Sequence, residues 1–111
     1  MAKLEKEIEG NFEEILKKIE NGILKGSMSA TLEDSSDFSI EKSRCSVRVF
    51  ERYSCLGSNR VSLSITLFQN DNSKIHLSAI TSGGSQAVFF KINTLGEKAF
   101  LDKLIEILEE N

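Results

Sequence analysis

The sequence predicts an α+β fold: a single antiparallel sheet of five to six strands, with a helix from the N-terminal region and a C-terminal helix packed on one face. Three observations predict it. Several segments alternate apolar and polar residues with the period of a half-buried strand. Two others, one near each end, carry apolar residues at helical spacing. The stretches between the central strands are short and rich in turn-forming residues, too short for the crossovers that parallel strands need. The expected order is β-α-β-β-β-β-β-α, as one domain over residues 1–111.

In residues 2–9, Ala2, Leu4 and Ile8 share one parity, and Lys3, Glu5, Glu7 and Glu9 the other, so the chain opens with a strand. Gly10 interrupts it, and Asn11 with Glu14 forms a capping-box pattern that starts a helix at Phe12. Phe12, Ile15, Leu16, Ile19 and Ile23 form its apolar stripe, and Gly22 and Gly26 are read as its fraying end. Met28, Ala30 and Leu32 make a second strand that runs into a polar loop, Glu33 to Asp37, after which Phe38 and Ile40 are expected to fold back onto the core.

The next strand sets Cys45, Val47, Val49 and Tyr53 against Arg44, Ser46, Arg48 and Arg52, with the first group assigned to the core. The turn at Leu56-Gly57-Ser58-Asn59 leads to Val61, Leu63, Ile65 and Leu67. The turn at Asn70-Asp71-Asn72-Ser73 leads to Ile75, Leu77 and Ala79. The run Ala87-Val88-Phe89-Phe90 reads as a strand buried on both sides or a dimer edge. Thr94 with Glu97 caps a last helix whose stripe is Leu101, Leu104, Ile105 and Leu108, widened by Phe100 and Ile107.

Composition narrows the function classes. A formal charge of -3 opposes binding to a phosphate backbone, so nucleic acid is not expected as a partner. No stretch approaches the roughly twenty apolar residues that cross a bilayer, so no membrane insertion is expected. Cys45 and Cys55 lack a CxxC or Cys/His setting, so neither metal nor disulfide framework is expected, and the cytoplasm is the expected compartment. No cofactor is indicated.

The stretches Ala30-Thr31-Leu32-Glu33-Asp34, Arg48-Val49-Phe50-Glu51-Arg52-Tyr53 and Ser78-Ala79-Ile80-Thr81-Ser82-Gly83-Gly84-Ser85-Gln86 resemble those of a family of short proteins of unknown function found mostly in Firmicutes. The resemblance spans nearly the whole chain. It implies a bacterial cytoplasmic setting and carries over no catalytic residue.

Several positions are candidates for chemistry or binding. Arg48, Arg52, Arg60 and His76 fall, by parity, on one face with Ser62, Ser64, Thr66 and Ser78. Hydroxyls and guanidinium forks suit a small anion or carboxylate. Yet residues four apart on a strand are about 13 Å apart, so Arg44, Arg48 and Arg52 do not converge on one small ion, and a plain solvated sheet face is the favoured reading over an anion site. A third reading is self-association, since Phe50, Phe68 and Ile80 share that parity.

Ser82, Gly83, Gly84 and Ser85 read either as a backbone nest for an anion or as a structural turn. Glu51 stands at core parity beside Tyr53, as a general base would, or as a residue at a bulge or strand end would. Cys55, at the edge of a turn, reads as the more reactive thiol, while Cys45 reads as a small buried hydrophobe. Two functions follow as expectations. One is a non-enzymatic binding or self-associating module, a homodimer or a partner of another protein, using the open face or an edge of the sheet. The other is a small-molecule carrier or enzyme with a pocket between the sheet and the C-terminal helix, lined by Tyr53, Phe89, Phe100 and Glu51.

Overall fold

A computed structural model of the chain describes residues 1–27, 29–53, 60–83 and 90–110, with the backbone alone for residues 90–96. Strand β1 (Lys3–Ile8) is followed by helix α1 (Phe12–Gly26), four strands β2 (Thr31–Ile40), β3 (Ser43–Tyr53), β4 (Arg60–Asn70) and β5 (Ile75–Gly83), and helix α2 (Phe90–Glu109). The five strands form one antiparallel sheet in the order β1-β5-β4-β3-β2, so β2 to β5 are a meander and β1 returns beside β5. The helices pack on one face, chiefly over β4 and β5.

Local chemistry explains most of these elements. Asn11 caps α1, its side-chain oxygen accepting from the Glu14 amide at 3.0 Å, and Glu13 and Glu14 complement the helix dipole in the first turn. Phe12, Leu16, Ile19 and Ile23 are the buried stripe. They meet Val61, Leu63, Ile65 and Leu67 of β4, Ile75, Leu77 and Ala79 of β5, and Phe100, Leu101, Leu104 and Ile107 of α2 in one core. Each large side chain so buried contributes about 1.5 to 3 kcal/mol, well above any exposed charge pair at roughly 0 to 1. Asp71, with a φ of 56°, makes the left-handed turn between β4 and β5 that its short polar side chain tolerates.

Four expectations need correction. Gly22 does not fray α1. The helix continues to Gly26, and Gly22 is where α2 comes closest, since a β-carbon there would lie 2.7 Å from the Ile107 side chain. The acidic stretch after Leu32 is not a loop. It belongs to the ten-residue strand β2, exposed along its whole length and bulged between Leu32 and Asp34. Phe38 and Ile40 therefore stay outside, 56% and 71% exposed. Helix α2 begins at Phe90, so Thr94 and Glu97 lie inside it and do not cap it. Ala87, Val88 and Phe89 lie outside the described residues.

The fourth correction concerns β3. Its helix-facing side is Arg44, Ser46, Arg48, Phe50 and Arg52, because pairing with β4 aligns Phe50 with Leu63 and Arg48 with Ile65. Phe50 is fully buried and Arg48 nearly so. Val47, Val49, Glu51 and Tyr53 thus belong to the uncovered face.

Candidate functional site

Beyond β4, α1 lies above strands that present charge instead of hydrocarbon. Arg48 Nε donates to Glu20 at 2.6 Å, while its Nη1 reaches Asp37 Oδ1 at 3.0 Å and the Val47 carbonyl at 2.9 Å. Burial disfavours the charged form of Arg48, but the hydrogen bonds to Glu20 and Asp37 outweigh it and raise the pKa. Arg44 stands over the Phe12 ring at 4.1 Å and pairs with Glu13 at 3.2 Å. Arg52 stands over the Phe100 ring at 4.4 Å and donates to the Ser27 hydroxyl at 2.8 Å. These arginines tie the helices to β3. The trough between α1 and the β2–β3 hairpin, about 590 Å³, is lined by equal and opposite charges, Arg44, Arg48, Glu13, Glu20 and Asp37 among them, most of them bonded to one another.

Among the described residues, no helix lies over the other face of the sheet. Strand pairing sets its side chains in rows. Phe38, Cys45, Phe68, His76 and Glu7 follow one another from β2 across to β1. The next rows are Ser36, Val47, Thr66, Ser78, Glu5 and then Asp34, Val49, Ser64, Ile80, Lys3. Tyr53, Phe68 and Ile80 are large hydrophobics left 54%, 40% and 42% exposed. With Phe38, Ile40, Val47 and Val49 they make an apolar surface interleaved with hydroxyls, and ionised groups are concentrated at its margins. Cys45 is a free, buried thiol between Phe38 and Phe68, and burial followed by the Asp37 charge pushes its pKa up.

The residues singled out from the sequence divide between the two faces. Arg48 and Arg52 face the helices, while Arg60, His76, Glu51, Tyr53 and Ser82 lie on the uncovered face. Glu51 is no buried base, since its carboxylate pairs with Arg60 Nε at 2.7 Å in partial contact with solvent. Arg60 also stands 5.3 Å from the Tyr53 ring centre. Tyr53 and Glu51 are therefore across the sheet from Phe100, which is fully buried, and a pocket lined by the three does not form. The Ser82 and Ser62 hydroxyls hydrogen-bond at 2.8 Å, and Gly83 ends β5. Gly84, Ser85, Cys55 and Phe89 lie outside the described residues.

His76 is exposed in the row of Phe68 and Glu7. Phe50, grouped by parity with Phe68 and Ile80, is instead a core residue. Sequence reasoning missed Glu13, Glu20 and Asp37 as partners of the arginines. The available signal was the seven-residue spacing of the two glutamates, which places both on the same side of α1, two turns apart.

No helix among the described residues is long and apolar enough to cross a membrane, and no group of three or more potential metal ligands occurs among them. The model of a family of unknown function, DUF6054, matches residues 1–111. No curated protein matches the chain.

Proposed function

The chain belongs to the DUF6054 family, which is of unknown function, and from this premise we propose that it is a non-enzymatic binding module whose working surface is the uncovered face of its sheet. The observation that carries the reading is the placing of Phe38, Phe68, Ile80 and Tyr53 in solvent on that face while the helices bury the other. Large side chains gathered on a flat, rigid surface are the usual mark of a macromolecular contact. The trough favours a structural role, because its two arginines, Arg44 and Arg48, are already engaged by Glu13, Glu20 and Asp37. A cytoplasmic location belongs to the same reading, supported by the free thiol of Cys45, which suits a reducing compartment.

Site-specific photo-cross-linking in the producing cells tests it. A photoreactive residue in place of Phe68 or Ile80 is expected to give a discrete adduct, and one in place of Lys17 on α1 none. Adducts from the helix position alone overturn the proposal.

A further inference from the structure

We infer that the occupant of the uncovered face is a second copy of this chain, related by a two-fold axis nearly parallel to β4. This rests on the reading of that face as a binding surface, and it names the partner. Charge is the first support. The row Asp34, Val49, Ser64, Ile80, Lys3 carries an acid at one end and a base at the other. Turned end for end by such an axis, the row meets its own copy with Lys3 opposite the partner's Asp34, twice by symmetry. Ile80 then lies against the partner's Val49. Phe68, on the same central strand as Ser64, meets the partner's Phe68 toward one end of the interface, an aromatic contact across the axis.

Area is the second support. Five strands about 4.8 Å apart and averaging about 30 Å in length span roughly 700 Å², close to the ~800 Å² that each partner contributes to a standard interface. The centre of the face is uncharged, since Cys45, Val47, Val49, Ser64, Thr66, Phe68 and Ile80 carry no ionised group. Two such sheets pack about 10 Å apart, with their strands about 30° from alignment.

Size-exclusion chromatography with light scattering on the purified chain is expected to show a dimer, twice 12.4 kDa. Lys3→Asp and Asp34→Lys are each expected to weaken it roughly tenfold, and the two together to restore it. With both native cysteines replaced by alanine, Ser64→Cys is expected to be linked between copies by a short bis-maleimide and Ser36→Cys is not, because of the two only position 64 lies on the axis. A monomer at high micromolar concentration overturns the inference, and an adduct of some other mass from position 68 would then leave the sheet-face reading standing. A dimer indifferent to the charge exchange and uncross-linked at position 64 also overturns it.

Discussion

Arg48 shows how one residue holds two elements. Its guanidinium reaches Glu20 on α1 and Asp37 on β2, so it fastens both the helix and the edge strand to β3. Replacing it by methionine fills the space but leaves Glu20 facing a partly desolvated wall without its partner. Arg48→Met is expected to cost about 2 kcal/mol in urea unfolding, and adding Glu20→Gln to recover most of it, since the loss comes chiefly from the orphaned charge.

Asp37 behaves differently because it is largely in solvent. The Ser46 hydroxyl and then the Arg48 guanidinium hold its carboxyl below the ordinary value of 3.8. A depressed folded-state pKa stabilises the protein above the unfolded value, and that stabilisation is lost as pH falls through the folded one. Asp37→Asn is therefore expected to lower the melting temperature at pH 7, with the gap to the parent protein narrowing once the pH drops below about 4. A gap that stays constant down to pH 3 would show that the carboxylate's charge is irrelevant.

Among the elements, the contact between the two helices is the most exacting. Gly22 and Gly26 lie one turn apart on α1 where Ile107 and Lys103 of α2 come against it. Gly22→Val is expected to cost about 1 to 3 kcal/mol by overpacking. Ile107→Ala opens the space that the valine occupies, so the double variant is expected to be less destabilised than the sum of the two single variants in a thermodynamic cycle.

The legibility of each element in the sequence follows from what it buries. Helix α1 and strands β4 and β5 each bury one clean stripe, so period alone locates them and names their core residues. Strand β2 buries neither face and is held by main-chain pairing to β3, so Glu33, Asp34, Ser35 and Ser36 carry no alternation to detect. Strand β3 misleads because its valines lie on the uncovered face and its arginines under the helices, where Glu13 and Glu20 of α1 supply the counter-charges of Arg44 and Arg48. Phe50 is the one clue, a large hydrophobe sharing the arginines' parity. The candidate surface was half legible: Phe68 and Ile80 stand out among the hydroxyls of β4 and β5, while Phe38 does not, since a residue after an acidic stretch gives no sign of its face.

For the whole molecule, the uneven cover of the sheet sets a gradient of stability. The helices and most of the core lie over β4 and β5, whereas β2 is exposed from end to end. Opening free energies follow local burial and pairing. Hydrogen exchange read by mass spectrometry is expected to be slowest in residues 61–67 and 75–81 and fastest in residues 31–40, with β3 between. Equal protection of β2 and β4 would contradict this ranking.

The borders of the sheet carry a further consequence. One is buckled at Leu32/Asp34 and set with Glu33, Asp34 and Asp37, and the other is a six-residue strand bearing Lys3, Glu5, Lys6 and Glu7. Neither offers the smooth, neutral hem onto which foreign backbone adds. Accretion side by side, the route toward ribbons and fibrils, is thereby blocked, and crowding two such molecules leaves only encounters of finite size.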